Sequence, residues 1–159
     1  MKTTKSIIFS LLLLACTAAG IQAQTSAEYN TQKVSDKGIW TNVDRKKLGS
    51  IDSAGVLKDS NDVALGRIEH NPKNPGIYEF KDINGHLLAT VLEDGTVRDL
   101  KGKVMYSVYA PDENGYCEVI GEAGRLKGMV HLNYKHSGVC LMQVRKTADG
   151  YHVAYHEKP

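Results

Sequence analysis

Long hydrophobic runs are missing from nearly all of this chain: beyond Ala19 nothing approaches the roughly 20 apolar residues of a membrane-spanning helix. The one run present, Ile7 to Ala19, is too short to span a bilayer comfortably, so a transmembrane segment is not expected. Cysteine is scarce, three in 159 residues, which excludes a miniprotein built on a disulfide framework. Helical spacing is absent as well: from Gly38 onward no stretch of twelve residues repeats apolar side chains at three- and four-residue steps, so helix should be nearly absent. Concentrated charge is lacking, since the longest basic run is Arg45-Lys46-Lys47, and a nucleic-acid partner is not expected without a phosphate-binding surface. Catalytic signatures are missing too, with no Gly-x-Ser-x-Gly elbow, Cys-His signature or His-Glu-x-x-His helix.

What is present begins with an address. Lys2 and Lys5 precede the apolar run, and Ala23 stands as a small residue before Gln24, the layout of a cleaved secretory signal over residues 1–23. Export to the periplasm or the medium follows. Leu13-Leu14-Ala15-Cys16 also resembles a lipoprotein box, and cleavage there would leave Cys16 as a lipid-bearing N-terminus on the outer membrane. The apolar residues continuing through Ile21 favour simple secretion. Loss of Lys2 and Lys5 takes 20 Lys+Arg to 18, level with 18 Asp+Glu, so the mature chain is neutral. Residues 24–37 are polar and aperiodic and read as a flexible leader. Residues 38–157 read as a single domain.

Within that domain a beat recurs. Residues 49–59 run G-S-I-D-S-A-G-V-L-K-D and residues 89–99 run A-T-V-L-E-D-G-T-V-R-D. Five units of this kind open at Gly49, Gly66, Ala89, Tyr106 and Met129 and turn at Gly55, Gly76, Gly95, Gly115 and Gly138. Asp94-Gly95 and Asn114-Gly115 accept the positive φ that closes a tight hairpin. Asp82-Ile83-Asn84-Gly85 and Asp99-Leu100-Lys101-Gly102 carry the aspartate-first, glycine-fourth chemistry of a type I turn. Asn71–Pro75 and Ala110–Glu113 enlarge the second and fourth hairpins. The strands at either end, Gly38–Val43 and Tyr151–His156, should pair or cap the array, because closure removes edges that template aggregation.

The Gly-x-Ile and Gly-x-Val-x-Asp pattern repeated behind an export signal resembles the small exported five-fold β-flower proteins of Bacteroidetes-type gut bacteria, over roughly Gly38 to Arg145. The resemblance implies an all-β fold in which five hairpins close around a pseudo-symmetry axis. It implies export and carries over no catalytic residue.

Candidate sites are few. Cys117 and Cys140 each follow a hairpin glycine by two residues, as do Leu57, Tyr78 and Val97, so they belong to one layer where they either pair as a disulfide or fill a core ring. His152 and His156 share a strand face but stand about 13 Å apart at roughly 3.3 Å per residue, too far for one metal. Asp59-x-Asn61 and Asp112-x-Asn114-Gly115 echo part of a calcium loop but lack its full oxygen set, and turn capping accounts for them. No metal or other cofactor is therefore expected. Tyr109 and Tyr116 flank the loop Ala110–Gly115 and form the most suggestive ligand surface, while Ser53 in Asp52-Ser53-Ala54 resembles an O-glycosylation acceptor. The expected function is a non-catalytic binding or interaction module of the bacterial envelope, with an unknown protein or glycan as partner. The rivals are a small secreted hydrolase or enzyme inhibitor with a site assembled across repeats, and a structural envelope component.

Overall fold

A computed structural model describes residues 32–147 and 150–153. Eleven strands close into a barrel in chain order: β1 (Gln32–Val34), β2 (Ile39–Thr41), β3 (Lys47–Ile51), β4 (Val56–Asp59), β5 (Ala64–Asn71), β6 (Asn74–Lys81), β7 (Leu87–Leu92), β8 (Val97–Arg98), β9 (Val104–Val108), β10 (Tyr116–Gly121) and β11 (Leu126–His131). Each strand is antiparallel to the next, and the seam is closed by β1 lying parallel to β11, with Lys33 opposite Met129 and Val34 opposite Val130. A seven-residue helix α1 (Lys135–Leu141) follows, and β12 (Val144–Thr147) and β13 (Gly150–Val153) form a separate two-stranded sheet. The expected all-β class and closed array are therefore present. No helix among the described residues is long and apolar enough to cross a membrane.

One turn design joins the strands. In seven turns a side-chain oxygen of the first residue accepts from the backbone N–H groups two and four positions on: Ser35, Asn42, Asp52, Asp59, Asp82, Asp99 and Asp112. The fourth residue has positive φ and returns its N–H to the first residue's carbonyl, as in Gly55 to Asp52 at 3.0 Å and Gly102 to Asp99 at 3.0 Å. Leu92 opens an eighth turn on the same backbone pattern, where Asp94 supplies the cap to the Thr96 N–H. Short polar side chains hold such turns because they satisfy backbone donors that the hairpin leaves unpaired. Asp59 and Asp112 thus spend their carboxylates on turn capping.

Alternation of side chains fills the barrel. Trp40, Leu57, Phe80, Val97 and Val119, on β2, β4, β6, β8 and β10, are all buried, and each is followed by a register shift against the next strand. Such bulges sharpen strand twist and help a small sheet curl shut. The helix α1 packs against β5, β6, β9 and β11, strands from different sides of the barrel, and so plugs one mouth with Val139, Cys140 and Leu141. Seven residues make a marginal helix alone, and this burial stabilises it.

Four expectations change. Gly138 lies inside α1 rather than at a hairpin turn, because Val139-Cys140-Leu141 is a short apolar run whose periodicity suits strand or helix equally. Cys140 therefore leaves the ring proposed for it; both cysteines are buried free thiols, Cys117 on β10 and Cys140 on the helix. The leader is not wholly loose, since Gln32–Val34 within it forms the closing strand and buries Val34. Closure accordingly uses β1 and β11, while Tyr151, His152 and Val153 pair with Val144–Lys146. Finally, Asn71–Pro75 lengthens strands and not a loop: β5 and β6 run eight residues each and turn through Pro72-Lys73, capped by Asn71. Pro75 lies beyond the pairing of β6 with β7, which starts at Ile77, so its missing N–H breaks no ladder bond there. The signal segment, Cys16 and His156 lie outside the described residues.

Candidate functional site

The elongated hairpin β5–β6 stands over the helix-plugged mouth and brings three rings together. His70 and Tyr78 are direct cross-strand partners, which sets their rings 4.3 Å apart at 39°. His136, on the first turn of α1, stacks on Tyr78 at 4.1 Å and 18°. Its Nε2 lies 2.8 Å from the carbonyl oxygen of Glu93 in the β7–β8 turn, which fixes the imidazole against a third element. Tyr78 is held between two imidazoles, and burial, followed by the Glu93 carboxylate, pushes its phenol up from the ordinary value. Stacks of this kind need no charge to hold and contribute about 1 kcal/mol per pair beyond the area they bury.

A depression of about 380 Å³ opens beside the stack. Its wall includes Ser53 and Gly55 of the β3–β4 turn, Glu69 and His70 of β5, Asn133 and Tyr134 ahead of α1, and Ser137 on the helix. Glu69 is steadied from β6 by Lys81, which also meets Glu79 at 2.7 Å, and from β5 by Arg67 at 3.3 Å. The Lys81 ammonium holds the Glu69 carboxyl below its usual range. Glu79 in turn accepts from Asn71 Nδ2 at 2.6 Å, so the same network stiffens the hairpin that carries His70. The site offers hydroxyl, amide, carboxylate and imidazole groups around an aromatic wall.

The residues singled out in the sequence are distributed differently. Ser53 is exposed on the edge of this depression. Tyr116 is half-buried at the closing seam, with Lys33 Nζ 3.6 Å from its ring centroid and His131 edge-on at 5.2 Å. Tyr109 is exposed where β9 ends. Neither tyrosine lines the depression. Cys140 donates to the His136 carbonyl at 3.5 Å, and burial pushes both cysteine thiols up, away from the reactive thiolate. Among the described residues no cluster of three His, Cys, Asp or Glu side chains could hold a metal ion. His70, Tyr78 and His136 were missed as a group because 58 residues separate Tyr78 from His136; only the cross-strand pairing of His70 with Tyr78 could have been read in advance, had the turn been placed at Pro72-Lys73. No family model matches the chain, and neither curated proteins nor solved structures give a match.

Proposed function

We propose that this chain is an exported, non-catalytic binding module of the bacterial envelope, a five-unit β-flower that recognises its ligand at the helix-plugged mouth. The observation that carries the reading is the His70–Tyr78–His136 stack beside a depression rich in hydroxyl, amide and carboxylate groups. A glycan suits that chemistry: C–H faces lie against the rings while sugar hydroxyls meet Ser53, Glu69, Asn133 and Ser137. The tuning of reactive groups supports binding over catalysis, because the buried thiols and Tyr78 are shifted further from their nucleophilic forms. Five hairpins, β1–β2 to β9–β10, each with a bulge after one buried residue of the second strand, support the five-fold reading. On this reading Trp40 is the fifth member of the buried set and Cys140, on the helix, lies outside it. Screening the protein against a glycan panel, followed by calorimetric titration of any hit, tests the reading. Tyr78→Ala and His70→Ala should each weaken a true ligand by roughly tenfold or more. A hit unaffected by both substitutions, or a panel without hits, would remove glycan recognition from this mouth.

A further inference from the structure

Three polar residues are buried among the described ones: Asp59, Ser137 and Gln143. Two have evident employment. Asp59 caps the β4–β5 turn at the rim opposite α1, where its Oδ1 accepts from the Asn61 and Val63 N–H groups at 2.8 and 2.9 Å. Ser137 lines the depression at the mouth. Gln143 is the deepest of the three, 1% exposed, and among the described residues neither its Oε1 nor its Nε2 has a hydrogen-bond partner. An amide taken out of water without replacement bonds is costly, whereas leucine or methionine would fill a similar volume without that cost. The plug carries Gln143 inward. The backbone N–H groups of Met142 and Gln143 donate to the Val139 and Cys140 carbonyls at 3.2 Å each, so the last turn of α1 runs on to Gln143, between buried Leu141 and buried Val144.

We propose that the barrel interior binds a structural water molecule at Gln143. The amide presents an acceptor oxygen and an NH2 donor, so its guest must both donate and accept, as water does. Buried waters typically make about three hydrogen bonds to groups that the fold leaves unsatisfied. Gln143 supplies two of them. The Met142 carbonyl, in the peptide unit that joins it to Gln143, supplies the third, since the Tyr106 hydroxyl of β9 reaches it only at 3.5 Å, longer than an ordinary O–H···O bond. An ion does not fit: Asp59 is the one carboxylate among the described buried residues and is committed to its turn, so a charge here would go uncompensated. A large guest does not fit the tight seating of the plug on the seam. A Cβ on Gly128 would come within 2.7 Å of Met142 Sδ, and one on Gly138 within 3.1 Å of Val130 Cγ1. Together with the Tyr106–Met142 contact, the water ties the end of α1 to β9, about two helical turns along from His136, and so sets the depth at which the plug is seated. The site does not depend on what the mouth binds.

The test is nuclear magnetic resonance of the isotope-labelled full chain. The Gln143 side-chain NH2 protons, identified by their loss in Gln143→Met, should show an Overhauser cross-peak to water of the sign that marks a long-lived bound molecule. Relaxation dispersion of the solvent should count at least one fewer long-lived water in Gln143→Met, with no gain in urea midpoint over the parent. Gln143→Leu repeats the count should the methionine variant fail to fold. Resolved NH2 protons without a water cross-peak, or a raised midpoint with an unchanged water count, would mean that the amide is buried dry and would overturn the proposal. A mass excess that the folded protein retains in native mass spectrometry and loses on unfolding would overturn it in favour of a larger guest.

Discussion

The turns at the two ends of the barrel share one backbone conformation but obey different rules about side chains. At the helix-plugged mouth the positive-φ position is Gly38, Gly55, Gly95 or Gly115. At the rim the same position is Arg45, Asp62, Gly85 or Gly102. Packing explains the difference. A Cβ on Gly38 or Gly55 would come within 2.6 Å of the Ile51 or Ile68 carbonyl oxygen, and on Gly95 or Gly115 within 2.9 Å of Val108 or 2.8 Å of His131. These turns fold inward onto the following odd-numbered strand, and the Gly38, Gly55 and Gly115 carbonyls accept from Ile51, Ile68 and Leu132 N–H at 2.8–2.9 Å. At Gly85 and Gly102 nothing lies within 4 Å. The rim turns project into solvent, so their glycines answer only to φ.

The largest test of that contrast is a matched pair of substitutions. Gly55→Ala should cost about 3 kcal/mol, adding a clash with backbone oxygen to the strain of a left-handed alanine. Gly102→Ala carries the strain alone and should cost about 1 kcal/mol. Urea unfolding followed through Trp40, the single tryptophan, reads both. Equal costs would mean that the mouth turns relax outward and that close packing does not distinguish the ends.

How much of this was written in the sequence follows from the same turns. Asp-x-x-Gly and Asn-Gly signals marked most of the turn positions because their chemistry is local: a carboxylate two to four residues from the N–H groups it caps. The all-β class followed from alternation between those turns. The ring of buried residues was half legible. Leu57 and Val97 stand two residues beyond a turn glycine as expected, but Phe80 and Val119 replace Tyr78 and Cys117, because hairpins β5–β6 and β9–β10 are longer. A two-residue extension keeps the face of a strand and changes the level in the barrel. Trp40, not Cys140, completes the set. Neither the plug nor the seam was visible, since Lys135–Leu141 is helical only because the mouth buries it, and Gln32–Val34 is a strand only because β11 lies beside it. The ring stack depends on both of those long-range events.

The capping carboxylates are common to the two ends and should give like effects at each. Asp52→Ala at the mouth and Asp99→Ala at the rim each leave two backbone N–H groups to water and should each cost about 1 kcal/mol at neutral pH. For Asp52 the acid limb adds a check. Its carboxyl is held below the usual range, first by the Val56 N–H and then by Lys58, whose Nζ lies 3.0 Å away. A folded-state pKa below the unfolded one adds stability that is complete above the ordinary carboxylate value and disappears as pH falls through the depressed one. The gap between the parent and Asp52→Ala should therefore close in acid, as read by urea midpoints across that range. A gap that stays constant would assign the cost to the turn's shape and not to its charge.

The smallest effect tests the rim from the other side. Arg45 and Asp62 hold φ near +60°, where a side chain costs energy that glycine avoids. Arg45→Gly and Asp62→Gly should therefore stabilise the fold by about 0.5 kcal/mol each, the relief of strain being partly offset by the greater freedom of glycine in the unfolded chain. Asp62→Gly also releases Lys47 from an exposed contact whose loss should be nearly neutral. Urea midpoints of the two variants read both effects. Unchanged or lowered midpoints in both variants would mean that these two turns hold their positive φ without strain, so that the freedom seen around Gly85 and Gly102 does not extend to Arg45 and Asp62.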